Sequence, residues 1–249
     1  MAVFIYGTLL DDVLRARLLG RDVAGKPAQL SGFTVLEHKT SPLPAIVARA
    51  GAVAEGLLLD DLTDAEIARL DAYELPFDYN PVPHDVDVNG VACAAQVYLP
   101  GPSVDISDRA WSLARWQDQS GPLTREMANE IGSFDPPLAG DALRAQWHMI
   151  ALRASVRLRA QSEHKPSNVR FAPQTTDFAH ESQENLFGDF FRMAKLQVTH
   201  STFQGSTAGP LRREVFVGSD AALVLPYDPT TDLVVMVEQF RMGPLLRGD

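Results

Sequence analysis

The chain has 249 residues, 45% of them hydrophobic, as in a globular protein, with a formal charge of −10 at pH 7 and a sequence pI near 5.0. That acidity argues against general electrostatic attraction to nucleic acid or to an anionic membrane. The single cysteine, Cys93, excludes an internal disulfide, and six histidines without H-x-x-x-H or H-E-x-x-H spacing give a zinc site no support, so no metal site is expected.

A strand over 2–6 breaks at Tyr6-Gly7-Thr8-Leu9. Leu10, Val13, Leu14 and Leu18 then recur at helical spacing, closed by Gly20. This is a strand, a tight glycine loop and a helix start, whose backbone N–H groups can bind an anion such as a carboxylate. Gly7 has no Cβ, which lets a ligand approach the backbone. An ordinary strand end with a buried Tyr is the plainer alternative. Strands are expected over 28–37, 45–49 and 52–60. Thr63-Asp64-Ala65-Glu66 has capping-box spacing, and Ile67 and Leu70 mark one face of the helix that follows. That helix runs through Leu70-Asp71-Ala72-Tyr73-Glu74 and stops near Pro76. Glu74 falls at its C-terminus, where the dipole and any burial disfavour the ionised form, a way to prepare a carboxyl group for proton transfer near neutral pH. An isolated Glu in such a place is more often a solvated acid. Strands over 82–88 and 91–99 follow, joined by the type I′ hairpin signal Asn89-Gly90. Cys93 lies in the second of them and reads as a buried structural thiol. Pro100-Gly101-Pro102 ends this segment.

Taken together, Tyr6-Gly7-Thr8-Leu9, Leu43-Pro44-Ala45-Ile46-Val47, Gly56, Leu70-Asp71-Ala72-Tyr73-Glu74 and Tyr79 resemble the gamma-glutamylcyclotransferase-like (AIG2-like) superfamily over roughly residues 1–100. The resemblance implies a small mixed β-barrel-like fold and release of 5-oxoproline from a gamma-glutamyl compound. It implies a substrate-binding loop at Tyr6, Gly7, Thr8 and Leu9, with Tyr79 beside it. It makes Glu74 the catalytic acid/base in an intramolecular cyclisation that needs no cofactor. Two departures lie beside the implied pocket. Leu75 stands where the family usually has Gly, and Asn80-Pro81 stands where an Arg often follows the Tyr. Both bear on the identity of the leaving amine.

Residues 103–162 read as a helical extension. Ile106, Trp111, Leu113 and Trp116 fall in its first segment, and Leu123, Met127 and Ile131 mark a second. Leu143, Trp147, Ile150, Ala154 and Leu158 form the apolar stripe of a third, surrounded by Arg144, Arg153, Arg157 and Arg159. A basic amphipathic helix can bind a membrane, but a solvated face packed on its own domain is the commoner case. Residues 163–187 show no periodicity and read as a linker. From 188 onward strand patterns return at 190–200, 213–225 and 233–237, with a hairpin turn at Tyr227-Asp228-Pro229-Thr230-Thr231-Asp232.

Residues 188–249 resemble the first half of an ADP-ribose-pyrophosphatase-type Nudix domain, most specifically at Gln239-Phe240-Arg241. The resemblance makes Glu238, Gln239 and Arg241 substrate-binding candidates. The Nudix signature, whose helix-borne carboxylates hold Mg²⁺ around a pyrophosphate, occurs nowhere in this sequence. The expected organisation is therefore an α+β chain. A cyclotransferase-like domain spans 1–102, a helical extension 103–162, a linker 163–187 and an incomplete Nudix-like segment 188–249, as in a truncated fusion of the type labelled tellurite-resistance-associated. Mg²⁺ is expected only for a complete Nudix domain. The leading expectation is a gamma-glutamylcyclotransferase-like enzyme acting on a small molecule. The alternatives are an ADP-ribose hydrolase lacking its metal-binding half and a non-catalytic binding module. No signal peptide or membrane-spanning run is evident, which makes the cytoplasm the expected location. No nucleic-acid or membrane partner is expected, and the Nudix resemblance allows a homodimer.

Overall fold

The computed structural model describes residues 1–134, 136–162, 175–188, 191–220 and 223–236. Its first strand, β1 (Val3–Ile5), is buried on both faces. It pairs antiparallel with β3 (Pro44–Leu59) and parallel with β5 (Val91–Pro100). β5 pairs antiparallel with β4 (Tyr79–Val88), which touches β2 (Lys26–His38), and β2 runs antiparallel along β3 from Lys26↔Leu58 to Glu37↔Pro44. The ring β3-β1-β5-β4-β2 thus closes into a five-stranded barrel. The expected strands at 45–49 and 52–60 are one continuous strand, bent where the β2 register shifts between Ser31 and Phe33. At the β4–β5 turn Asn89 and Gly90 both have positive φ, 55° and 84°, as a type I′ hairpin requires.

Alternation along β1 divides the core. Phe4 and the following Tyr6 point into the barrel against Leu30, Ile46, Val86 and Val97. Val3 and Ile5 point outward, to a layer of helices. That layer comprises α1 (Asp12–Leu19), α2 (Asp64–Glu74), α3 (Leu113–Gln119), α4 (Gly121–Ile131) and α5 (Gly140–Ser162). Leu14, Leu70, Trp116, Leu143, Ile150 and Ala154 are fully buried there. Full burial of one such side chain contributes roughly 1.5–3 kcal/mol before entropy is counted. Asp11 caps α1 by accepting the Leu14 N–H at 2.9 Å, and Gly20 ends it at φ 82°. At Gly56 an added Cβ would fall 2.5 Å from the Phe4 ring, so the absence of a side chain there lets the barrel interior close.

Three expectations are corrected here. Ile106–Ala110, expected to be helical, is strand β6, which extends the sheet from β2 through Leu36↔Ala110 and His38↔Ile106. A neighbouring strand edge overrides local pattern at that point. The expected linker, 163–187, contains most of strand β7 (Phe178–Gly188). Its side chains from 178 to 186 are exposed, so no apolar alternation marks it, and it is a strand through backbone pairing with β8 (Arg192–Ser201). β9 (Thr207–Val217) completes this three-stranded antiparallel sheet. The basic face of α5 is also only partly solvated: Arg144 and Arg159 are exposed, but the two arginines between them are not. Arg153 is 2% exposed and holds Glu130 Oε1 at 2.6 Å, while Arg157 Nε reaches Glu126 at 2.5 Å.

Compactness divides the chain after Ser219. In the second unit, β10 (Tyr227–Asp228) pairs with β11 (Leu233–Val234) across the expected turn, where Asp228 accepts from the Thr230 N–H and the Thr231 hydroxyl, both at 2.8 Å. Leu223, Val224 and Leu225, expected in a strand, carry none and are exposed. Glu238, Gln239 and Arg241 lie outside the described residues. Among the described residues, no helix is long and apolar enough to cross a membrane.

Candidate active site

A cavity of about 150 Å³ opens where the end of β1, the end of α2 and the helical layer meet. Tyr6, Gly7, Thr8, Leu9, Glu74 and Tyr79 all line it, so folding joins the two segments that the sequence singled out.

The loop is built as follows. After β1 the chain makes a 3₁₀ turn, Thr8–Leu10, before α1 begins at Asp12. The first bond of this turn runs from the Leu10 N–H to Gly7 O at 2.9 Å. The N–H groups of Gly7, Thr8 and Leu9 precede it and have no partner within the turn. These groups can take an anion. Gly7 lines the cavity and is also required by a protein neighbour: its φ is −124°, and an added Cβ would fall 2.5 Å from Pro44 Cγ. The expected helix start is displaced by the 3₁₀ turn, because Asp11 supplies the α1 cap.

Glu74 is placed by α2. Thr63 accepts the Glu66 N–H, and Glu66 accepts the Thr63 N–H at 2.7 Å, so the capping box fixes the helix start. Glu74 is the last residue of α2, and Leu75–Phe77 tightens into a 3₁₀ turn. Leu75, where the related pattern has Gly, sits at φ −57°, an ordinary right-handed conformation that any side chain adopts. The left-handed turn comes later, at Asp78 (φ 64°), whose carboxylate accepts from the Ser103 N–H at 3.0 Å and the Ser103 hydroxyl at 2.6 Å.

The Glu74 carboxyl group is partly accessible through the cavity and otherwise enclosed. Desolvation pushes its pKa from an ordinary 4.5 up to about 7, and no ion pair or hydrogen bond to it among the described residues opposes this. Four tyrosines surround it. Burial first, and the Glu74 charge after it, raise the pKa of Tyr6, Tyr73 and Tyr79. Tyr98 is also raised by burial, then by its bond to Asp71. All four are neutral phenols at physiological pH.

Three of those phenolic protons are committed within the protein. Tyr6 donates to Tyr98 O at 2.6 Å, Tyr98 to Asp71 Oδ1 at 2.7 Å, and Tyr79 to Pro44 O at 2.8 Å. His38 Nε2 also contacts the Tyr79 oxygen. Since the Tyr79 proton goes to Pro44, His38 must be the donor there, which assigns the proton to Nε2. Burial lowers the His38 pKa, favouring the neutral ring. The remaining lining is apolar or aromatic, including Leu43, Pro44, Phe77 and Trp147, with Thr124 as a further hydroxyl. The Trp147 ring packs edge-on against Phe77 at 4.6 Å and lies 6.3 Å from Tyr73. Among the described residues no Lys or Arg side chain lines the cavity.

Sequence reasoning placed six of the lining residues. Leu43 and Pro44 carried a signal as part of a recognised segment, and Tyr73 through its position beside Glu74. Tyr98 carried one through its expected strand. His38, Thr124 and Trp147 reach the site only through tertiary packing. Among the described residues no group of three or more His, Cys, Asp or Glu side chains is arranged to hold a metal ion.

Residues 3–118 match the family model described as gamma-glutamyl cyclotransferase, AIG2-like, and an AIG2-like domain therefore occupies that part of the chain. The chain is 35% identical over 79 residues to an ADP-ribose pyrophosphatase of Escherichia coli, a match covering 32% of this chain and 38% of that protein. It is 32% identical over 72 residues to Protein AIG2 C of Arabidopsis thaliana, covering 29% of this chain and 44% of the relative. It thus spans less than half the length of each of these curated relatives. An Arabidopsis thaliana protein solved in solution superposes with a TM-score of 0.39 at 25% identity, over 47% of this chain and 72% of its own. The matches to an AIG2-like family and to ADP-ribose pyrophosphatases are consistent with a fusion of AIG2-like and Nudix-type segments.

Proposed function

We propose that the cavity binds a gamma-glutamyl compound and releases 5-oxoproline from it, with Glu74 as acid/base. The carrying observation is Glu74 itself, a carboxyl group with no ion pair or hydrogen bond among the described residues, with a pKa of about 7, in the same cavity as the Tyr6–Leu9 loop. The loop N–H groups hold the substrate carboxylate. Glu74 accepts a proton from the substrate α-amino group, and that nitrogen attacks the γ-carbonyl carbon. A C–N bond forms within the glutamyl unit and the C–N bond to the leaving amine breaks. Glu74 returns its proton to that amine, so atoms and charge balance without an oxidant, metal or cofactor. Nucleophile and electrophile lie on one molecule, so positioning supplies much of the rate. A pKa near ambient pH suits a group that must both take and give a proton.

The test is incubation of the purified chain with a panel of gamma-glutamyl amides and quantification of 5-oxoproline, with Glu74→Gln as the control. Turnover in the wild type and its loss in the variant are expected. No 5-oxoproline from any panel member, or equal turnover by both proteins, overturns the reading. ADP-ribose with Mg²⁺ belongs in the same screen because of the pyrophosphatase similarity. Since the Nudix signature does not occur in this sequence, no AMP release is expected from this chain.

A further inference from the structure

A second cavity, of about 450 Å³, lies where α4, α5 and the sheet β7–β8–β9 meet. Small-molecule sites span about 300–1,000 Å³. Every side chain that lines it, among the described residues, is polar. Its floor is charged: Glu126, Glu130 and Arg192 are buried there and Arg157 is half-buried. Its mouth is neutral: Asn129, Ser133, Gln183 and Asn185 are exposed.

The charges on the floor are unequal. Glu130 meets Arg153 at 2.6 Å, Arg192 at 3.1 Å and Arg157 at 3.3 Å. Glu126 meets Arg157 at 2.5 Å and Arg17 at 4.0 Å. Among the described residues, four guanidinium groups thus face two carboxylates, an excess of two positive charges. Arg192 is 5% exposed. It donates to Ser133 Oγ at 3.0 Å and to Asn185 Oδ1 at 3.2 Å, and it meets Glu130. These contacts leave two of its five N–H donors without a partner among the described residues. Burial lowers the Arg192 pKa, and repulsion from Arg153 and Arg157 adds to this against the opposing pull of Glu130. An anion on the floor would satisfy the unpartnered donors and relieve that repulsion.

The mouth adds hydrogen-bonding capacity without charge. Asn129 Nδ2 donates to Glu126 at 3.0 Å and Gln183 Nε2 to Asn185 at 3.1 Å. Each of these two amides keeps its carbonyl oxygen and one N–H for a ligand.

We propose that this cavity is a second ligand site, for a small phosphate monoester that carries hydroxyl groups. The phosphate dianion matches the excess of two charges and takes the unpartnered Arg192 donors together with Arg157, while the hydroxyl groups meet Asn129 and Gln183. The site is independent of the cyclisation reading, because none of its residues lines the cavity that holds Glu74.

Calorimetry on the purified chain tests this, with glycerol 3-phosphate, inorganic phosphate and glycerol as probes. Glycerol 3-phosphate is expected to bind at one site per chain with a Kd below about 1 mM, inorganic phosphate more weakly and glycerol not at all. Arg157→Gln removes a charged donor and should weaken glycerol 3-phosphate by about 10–100-fold. Asn129→Ala, at the exposed mouth, should weaken it by about fivefold and leave inorganic phosphate unchanged, and it carries the test even where Arg157→Gln unfolds. Arg109→Gln removes an exposed arginine of β6, outside the cluster, and should change neither. A Kd for glycerol 3-phosphate above about 1 mM overturns the site. Equal affinity in the wild type and both cavity variants, or a loss in Arg109→Gln as large as in Arg157→Gln, overturns its location. Equal affinity for inorganic phosphate and the ester overturns the assignment of a phosphate monoester.

Discussion

The two ends of α2 each hold an enclosed glutamate, and their chemistry is opposite. At the N-terminal end, Glu66 receives the Arg21 guanidinium at 2.5 Å and the Thr63 N–H at 2.7 Å. The hydrogen bond from Arg21, ahead of those from Thr63, holds its pKa at about 2. At the C-terminal end, Glu74 has no such partner among the described residues, and desolvation brings its pKa to about 7. The helix supplies backbone N–H groups at its start and only carbonyls at its end, so the same side chain is held ionised in one place and pushed toward its neutral form in the other. Glu130 repeats the first case. It is 5% exposed and meets Arg153 at 2.6 Å, Arg192 at 3.1 Å and Arg157 at 3.3 Å. Burial alone therefore does not mark a functional acid. Burial without a counter-charge, beside a cavity, marks a candidate.

The sharpest way to break the contrast is Glu74→Gln, which keeps size and removes the base. A loss of about 10²–10⁴-fold in kcat is expected, measured as 5-oxoproline release on an identified substrate. In the wild type, kcat/KM should rise with pH across about 7, because the base must be ionised in the free enzyme. A profile flat from pH 5.5 to 8.5 would count against Glu74.

Next in size is the partnered acid. Glu130→Ala leaves Arg153 and Arg192 buried without that carboxylate, and a loss of about 3–5 kcal/mol in urea unfolding is expected, with the cavity acid untouched. A loss below about 1 kcal/mol would mean that the cluster is incidental. Stability should also separate the two glutamates by sign. Glu74 has a raised folded pKa, so its contribution is fully present below the unfolded value of 4.5 and is lost as pH rises through about 7. Glu74→Gln should therefore gain up to about 3 kcal/mol over the wild type at pH 8 and little at pH 4. Glu66 has a depressed folded pKa, so its contribution is present above 4.5 and is lost as pH falls toward about 2. The smallest effect is expected for Glu66→Ala, about 1–2 kcal/mol at pH 7 through loss of the cap and the Arg21 bond, read by thermal unfolding.

The same contrast explains what could be read in the sequence. The capping box, the type I′ turn at Asn89-Gly90 and the apolar stripe of α5 are local devices, and each forms where its residues stand. The Tyr6–Leu9 loop and Glu74 were legible as segments, because family resemblance carries their pairing. The charge state of Glu74 was legible only in outline, since the helix end suggested the direction while the enclosing walls supply the cause. β6 and β7 were missed because each is a strand through pairing with a neighbour rather than through apolar alternation. Arg153 was assigned to a solvated face because nothing local announces that Glu130 on α4 faces it. Trp147 reaches the cavity from α5, and His38 reaches the Tyr79 hydroxyl from β2, a matter of tertiary geometry alone.

The most direct test of the contrast is a ¹³C-NMR titration of the side-chain carboxyl groups, with the Glu74 signal assigned by its absence from Glu74→Gln. A midpoint near pH 7 for Glu74, and one near 2 for Glu66 in the same spectra, is the predicted result. A Glu74 midpoint at its ordinary 4.5 would show a solvated carboxylate, and the acid/base assignment would fall.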